Sequence, residues 1–258
     1  MDILLSRILA FLNGTLFYDD SYIFCTWIVK HYSEMYDTDF TPERIMRETG
    51  ISRSSIDDFV AHLGKDWKWD DFLVTLQHNH ETRLDQIRSR MIGLTTKEIV
   101  HGLEKNETDE EMLEYVSKIC EVIDKSERIF LIGAHYPISV ASEFQTDLIT
   151  YGKNVIAYHH YDPTVHFTEK DLIIFVSATG RSLKGFLKNN GNKNPQAGEV
   201  ILITQNPIYK KEEYKISDWV IQMPGRYDGI NINYQLMTIF DLLRLHYYQQ
   251  YFIGHPER

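Results

Sequence analysis

The segment Ser177-Ala178-Thr179-Gly180-Arg181-Ser182 combines three hydroxyls and a glycine in six residues. It directly follows the apolar run 172–176, which predicts a buried strand that leads into a helix from Leu183 onward. The first amides of a helix have no partner inside it and carry the positive end of its dipole, while Ser and Thr add neutral donors. The segment therefore predicts a phosphate site. The alternative is an ordinary strand-to-helix turn with Ser182 as the helix cap.

Composition sets the class of protein. The chain has 258 residues, of which 43% are hydrophobic and 13% aromatic, enough for at least one core. No stretch approaches the roughly 20 apolar residues of a membrane span, and the first residues lack the pattern of an export signal, so we expect a cytoplasmic protein without membrane contact. The net charge of −10 argues against a general polyanion-binding surface. Cys25 and Cys120 lie far apart without metal spacing, so we expect no disulfide, metal or cofactor.

Up to about Ile92, apolar residues recur at three and four positions, which predicts an all-α head. Thr41 and Pro42 start one short helix, which Gly50 ends. Ser52 caps the next helix, which Gly64 closes. Two short helices joined by a three-residue turn that contains glycine are typical of a helix-turn-helix.

The rest of the chain reads as α/β. Residues 67–125 are predicted helical, with a polar linker at 105–109 where Thr108 caps the next helix. Beyond Arg128, short apolar runs alternate with helical stretches, which predicts parallel strands buried on both faces; the runs are 129–133, 155–157, 172–176, 199–204 and 219–223. A final amphipathic helix spans about 231–252, and its aromatic residues suit either a partner surface or docking on the sheet.

The order of these elements and several strings resemble the RpiR-type transcriptional regulators. That family joins an N-terminal helix-turn-helix domain to a C-terminal sugar isomerase (SIS) domain, which binds phosphosugars. The strings that carry the resemblance lie at 51–64, 132–141, 170–173, 177–182, 201–204 and 216–220. The resemblance covers nearly the whole chain. It implies a helix-turn-helix domain at 1–80, a helical connector at 81–107 and a three-layer, parallel-sheet, flavodoxin-like SIS domain at 108–258.

The resemblance implies a DNA-binding transcriptional regulator controlled by a sugar phosphate. Its partners would be a sugar-phosphate effector, double-stranded operator DNA and further copies of the chain in a homodimer or tetramer. The ligand-binding residues implied by the match are Gly133, His135, Ser177, Thr179, Gly180 and Ser182. The residues implied for DNA contact are Arg53, Ser54 and Ser55, and Arg44, Arg47 and Lys65 are expected near DNA phosphates.

Two departures from the family pattern open alternatives. The predicted recognition helix carries Asp57 and Asp58, which a DNA backbone repels. The alternative is that both are solvated charges on the helix face, with Asp58 paired with Arg44 or Arg47. A regulator that has lost specific DNA binding and acts only as a sugar-phosphate sensor or through protein contacts is therefore an alternative. The first SIS loop has His135 and Pro137 in place of a glycine and a serine, which reshapes the predicted pocket.

SIS domains also occur in aldose–ketose isomerases, which need a base to move a proton between adjacent carbons. Candidate bases exist, but none stands out by its position; they are Glu143, His159, His160, His166, Asp241 and His246. We therefore expect no catalytic residue and no enzyme, with an isomerase as the less favoured alternative.

Overall fold

The computed structural model describes residues 4–189, 198–214, 216–225 and 231–253, with the side chains of all but residues 135–137. The chain forms two compact units. The first contains residues 1–92, 149–152 and 159–163, and the second contains residues 93–148, 153–158 and 164–258. The predicted division into domains at 1–80, 81–107 and 108–258 stays a prediction. Residue 80 lies inside a continuous helix, Trp69–Met91.

The first unit is helical, as predicted. Its helices are α1 (Leu4–Gly14), α2 (Asp20–Lys30), α3 (Pro42–Thr49), α4 (Arg53–Leu63) and α5 (Trp69–Met91), with a short 3-10 helix at Tyr32–Glu34.

Local signals fix the ends of α3 and α4 where the sequence places them. Thr41 accepts a hydrogen bond from the Arg44 amide at 3.3 Å, and Ser52 accepts one from the Ser55 amide at 3.1 Å. Gly50 has a φ of +80°, a left-handed conformation that ends α3 and starts the turn. The pair of helices is thus observed, and its assignment as a helix-turn-helix stays a prediction.

The second unit alternates helices and strands. Its helices are α6 (Thr96–Gly102), α7 (Asp109–Lys125), α8 (His135–Val140), α9 (Ser142–Thr150, whose last residues belong to the first unit), α10 (Arg181–Asn189) and α11 (Asn231–Tyr247), which continues as a π-helical turn at Tyr248–Phe252. Its strands are β1 (Arg128–Gly133), β2 (Asn154–Ala157), β3 (Asp171–Val176), β4 (Glu199–Thr204) and β5 (Trp219–Gln222). Short 3-10 helices lie at Pro207–Lys210 and Glu212–Tyr214.

The five strands form one parallel sheet in the order β2-β1-β3-β4-β5. This is the flavodoxin-like order of doubly wound α/β folds, so the predicted α/β class is confirmed. All residues of β3 are buried, as expected for a central strand covered on both faces. One face packs Phe130, Phe175 and Leu202 against Leu183 and Phe186 of α10.

The sheet order places three strand ends side by side. Gly133 pairs with Val176, and Val176 pairs with Ile203, so β1, β3 and β4 end together. In open parallel sheets, ligands bind beyond these carboxyl ends. Among the described residues, no helix is both long and apolar enough to cross a membrane.

Candidate functional site

The loop after β3 is held in place by β4. The Ser177 amide donates to the carbonyl of Ile203 at 3.0 Å, and the Gln205 amide donates to the carbonyl of Ala178 at 3.0 Å. The Thr204 hydroxyl also donates to the Ala178 carbonyl at 3.0 Å. The strand pairing therefore continues past the end of β3 and fixes where the loop begins.

A tight turn then starts α10. The Gly180 amide donates to the Ser177 carbonyl at 3.2 Å, and Gly180 has a φ of +81°, which a glycine adopts without strain. The first main-chain bond of the helix runs from the Lys184 amide to the Gly180 carbonyl at 3.0 Å. The amides of Arg181, Ser182 and Leu183 thus precede the helical ladder and point away from the helix.

Ser177, and not Ser182, caps the helix. The buried Ser177 Oγ accepts a hydrogen bond from the Ser182 amide at 3.2 Å. The helix begins at Arg181, two residues before the start that the sequence predicted. The alternative in which Ser182 acts as the cap is therefore wrong, because Ser182 already lies in the first turn.

The described loop offers donors suited to an anion. Thr179 is half-buried and its Oγ1 lies 3.2 Å from the Nε of Arg181, while its carbonyl accepts from Asn206 Nδ2 at 3.1 Å. Ser182 is half-buried and Arg181 is exposed. The first turn of α10 contains no acidic residue. Hydroxyls, a guanidinium and the positive end of a helix together form an arrangement that stabilises a phosphate.

The two residues predicted on the first loop are Gly133 and His135. Gly133 ends β1, where an added Cβ would lie 2.7 Å from the Val176 carbonyl oxygen, so close packing of the strands already requires a glycine there. Contact between Gly133 and a ligand stays a prediction. The side chain of His135 lies outside the described residues, so its predicted role is also open.

Sequence reasoning missed a second set of polar residues, which follows β4. Gln205 and Tyr209 are both buried, and burial raises the pKa of Tyr209. A Cβ on Gly180 would lie 2.2 Å from the Tyr209 hydroxyl, so this hydroxyl sits against the loop. The string Thr204-Gln205-Asn206 directly follows an apolar run, and the rule that identified the loop after β3 would also have pointed to it.

The residues predicted to contact DNA lie among carboxylates. Arg53 Nε lies 2.9 Å from Asp57 Oδ1, and Arg53 Nη1 lies 2.9 Å from Glu43 Oε1. The Ser55 hydroxyl lies 2.5 Å from Asp20 Oδ2. Ser54 is exposed. The structure brings Arg53 and Ser55 together with acids, which lowers the positive potential that DNA needs.

Arg44 also has carboxylate partners. Its guanidinium lies 2.8 Å from Glu48 and 2.7 Å from Glu34, and it covers the ring of Trp27. Its hydrogen bond to Glu48, together with that of Trp27, lowers the pKa of Glu48 to about 2. The predicted pairing of Asp58 with Arg44 or Arg47 is not among the ion pairs of the described residues. Arg47 and Lys65 are exposed and stay candidates for phosphate contact.

The candidate isomerase bases are spread over both units. His159, in the first unit, lies 2.8 Å by its Nε2 from the carbonyl of Leu12. Glu143 and Asp241, in the second, lie 3.3 Å and 2.9 Å from Arg244, and burial raises the pKa of Asp241. His246 is half-buried, and burial lowers its pKa. Among the described residues, no group of three or more His, Cys, Asp or Glu could hold a metal ion.

No protein-family model matches the chain. A search of curated proteins found no significant match.

Several solved structures are similar in part. NanR of Vibrio vulnificus, complexed with ManNAc-6P, is 14% identical over 95% of this chain and 92% of its own, with a TM-score of 0.41. The sugar isomerase domain of an RpiR transcription factor from Sphaerobacter thermophilus is 16% identical over 67% and 90%, with a TM-score of 0.43. A Methanococcus jannaschii protein with an inferred 3-hexulose-6-phosphate isomerase function is 18% identical over 60% and 86%, with a TM-score of 0.44.

Proposed function

We propose that the protein senses a phosphorylated sugar, which it binds at the loop 177–182. The observation that supports this is the loop itself. Ser177, Thr179 and Ser182 bring their hydroxyls to the N-terminus of a helix whose first turn contains an arginine and no acidic residue. A dianionic phosphate ester matches that set of donors, and open parallel sheets bind ligands beyond the carboxyl ends of their strands.

We propose further that the protein is a transcriptional regulator and that α3 and α4 bind operator DNA. The support is the sequence of α3, the turn 50–52 and α4, with Ser54 exposed in the first turn of α4. One such pair of helices reads one half-site, so the protein would act as a homodimer or larger oligomer. The ligand would then act by changing how two copies are arranged.

The second candidate function is a sugar-phosphate sensor that has lost specific DNA binding. A specific observation favours it, since the ion pairs of Arg53 with Asp57 and Glu43 neutralise the one arginine in the first turn of α4. DNA would have to displace both carboxylates, which costs part of the gain from releasing counterions.

We propose a sensor rather than an isomerase. The support is chemical, because an isomerase needs a base near the sugar carbons and the loop 177–182 contains no His, Asp or Glu. Incubation with aldose and ketose phosphates, followed by chromatography, tests this point, and interconversion of the two would contradict it.

Thermal unfolding with a panel of hexose and pentose phosphates tests the ligand site. We expect some phosphorylated sugars, but not their unphosphorylated forms, to raise the Tm, because a ligand that binds only the native state stabilises it. Thr179→Leu should remove this response, while Thr38→Leu, an exposed position in the first unit, should keep it. An unchanged response in Thr179→Leu would refute the assignment.

Fluorescence polarisation with DNA from the promoter of the protein's own operon tests whether α3 and α4 bind DNA. A regulator should bind one fragment more tightly than scrambled DNA of the same length, and a phosphorylated sugar should change that affinity. Failure to bind any DNA at low salt would favour the sensor without DNA binding.

A further inference from the structure

Two buried polar atoms on the segment after β4 have no hydrogen-bond partner among the described residues. They are the Gln205 Oε1 and the Tyr209 hydroxyl oxygen. The side chains are deeply buried, with 1% and 3% exposed. An unpaired buried polar group costs about 1–3 kcal/mol, so two of them in one short segment call for an explanation.

The Tyr209 hydroxyl lies at the start of α10. A Cβ built on Gly180 would be 2.2 Å from the hydroxyl oxygen and 2.5 Å from the ring carbon that bears it. Gly180 is the last residue before α10, whose first amides precede the helical ladder. The hydroxyl edge of the ring therefore covers the place where the loop would hold a phosphate.

The Gln205 side chain, whose Oε1 is unpaired, lies against Pro224 and Gly225. Its Nε2 lies 3.2 Å from the Pro224 carbonyl and 3.1 Å from Gln235 Oε1, both acceptors, so the amide orientation is settled. Gln235 in turn donates to the Pro224 carbonyl at 2.8 Å. The main-chain amide of Gln205 bonds to Ala178 of the loop. Its Oε1 can be satisfied only by a donor such as a hydroxyl.

We propose that Gln205 and Tyr209 form a second wall of the ligand site, which recognises the whole sugar phosphate. The Tyr209 hydroxyl donates a hydrogen bond to a phosphate oxygen held at α10, and Gln205 Oε1 accepts a hydrogen bond from a sugar hydroxyl. This inference rests on the proposed function of the loop. It adds the requirement that the ligand carries a free sugar hydroxyl near its phosphate.

Ligand entry requires the Tyr209 ring to move, since its hydroxyl packs directly against Gly180. Room exists on its other side, where Tyr209 and Lys210 line a cleft of about 360 Å³ between the start of α7 and β5. The Lys210 ammonium pairs with Glu107 across this cleft. A shift of the 3-10 helix Pro207–Lys210 toward this cleft would therefore open the loop.

Tyr209→Phe tests the proposal because it removes only the hydroxyl. We expect the Tm without ligand to stay constant or rise, since no described partner is lost. The affinities for inorganic phosphate and for the responding sugar phosphate, measured by calorimetry, should both fall about tenfold, as expected for a lost hydrogen bond to a charged group. Tyr32→Phe is the matched control, because its hydroxyl is also buried and unpaired among the described residues but belongs to the first unit. That control should not change either affinity.

Gln205→Met gives a second readout. It should lower the affinity for the sugar phosphate but leave the affinity for inorganic phosphate unchanged, because phosphate alone does not reach Gln205. If wild type and Tyr209→Phe bind with equal affinities, whatever the Tm of the variant, this inference alone would be overturned. A wild type that binds no phosphate ester would overturn the proposed function as well.

Discussion

The starts of α10 and α4 are built alike, yet their surroundings differ in charge. A serine caps each helix, Ser177 for α10 and Ser52 for α4. Each helix begins with an arginine followed by a serine, Arg181-Ser182 in one and Arg53-Ser54 in the other. Both therefore present uncapped amides and a cation at the positive end of a helix.

The second turn and the neighbours decide what each helix start can bind. α4 continues with Asp57 and Asp58 and has Glu43 against its first arginine. α10 continues with Lys184 and has Lys188 in its last turn. We therefore expect an anion to bind more readily at the start of α10 than at the start of α4. The comparison teaches that a capped helix start is a binding site only where the surrounding charges permit it.

The largest expected effect comes from reversing the charge at α10. Ser182→Asp places a carboxylate beside the phosphate, and two unit charges 4 Å apart repel by about 4 kcal/mol at an effective dielectric constant of about 20. We expect the affinity for the responding sugar phosphate, measured by calorimetry, to fall at least about a hundredfold. Ser54→Asp occupies the equivalent position of α4 and should leave that affinity unchanged. Similar losses in both variants would contradict the difference between the two helix starts.

Gly180 and Gly50 share a backbone conformation, so substituting each of them distinguishes backbone strain from side-chain packing. Gly180→Ala and Gly50→Ala both place a side chain at a φ near +80°, but only at Gly180 does the new Cβ meet a neighbour, the Tyr209 hydroxyl. We expect a loss of about 1 kcal/mol in the free energy of unfolding for Gly50→Ala and at least about 2 kcal/mol for Gly180→Ala. Denaturant unfolding measures both, and equal losses would show that Tyr209 does not press on the loop.

Removing the acids of α4 should raise the affinity for DNA. Asp57→Asn with Asp58→Asn frees Arg53 from one of its carboxylates, and one regained phosphate contact is worth about eightfold in affinity near 0.1 M salt. Polarisation at several salt concentrations should show a slope steeper by about 0.9. Glu110→Gln with Glu114→Gln makes the same change of net charge on α7 and should have little effect. Equal gains from both pairs would attribute the result to net charge alone.

The smallest effect concerns the acid stability of the first unit. The hydrogen bonds of Glu48 with Arg44 and Trp27 lower its pKa from 4.5 to about 2, so the folded state favours the ionised form. The resulting stabilisation is complete above pH 4.5 and is lost as the pH falls toward 2. Glu48→Gln should therefore lower the Tm at neutral pH and approach the wild-type Tm in acid. A difference in Tm that does not change between pH 6 and about pH 2 would contradict this.

The sequence supports the order of elements well, because the signals are local. Gly50 and Ser52 mark the ends of α3 and α4, and Thr108 caps α7 with Glu111 as its partner. The continuous apolar run at β3 correctly predicts a strand buried on both faces. The hydroxyl residues of the loop 177–182 are also close together in the sequence, which is why the place of this loop at the end of β3 could be predicted.

Pairings that depend on the fold could not be predicted. Arg53 meets Glu43, ten positions away, and Tyr209 lies against Gly180 only because β4 follows β3 in the sheet. Spacing alone does not show that Ser177 reaches the amide of Ser182, so the alternative with Ser182 as the cap could not be excluded from the sequence. The side chain of His135 lies outside the described residues, so the first loop remains as the sequence predicts it.

Amide chemical shifts of the 15N-labelled protein test the central claim most directly. On titration with the responding sugar phosphate, the account predicts the largest changes at Gly180, Arg181 and Ser182, which precede or begin α10. The amides of Arg53 and Ser54 should hardly move. Changes centred on α4 or elsewhere, with the residues 177–182 unaffected, would contradict the account.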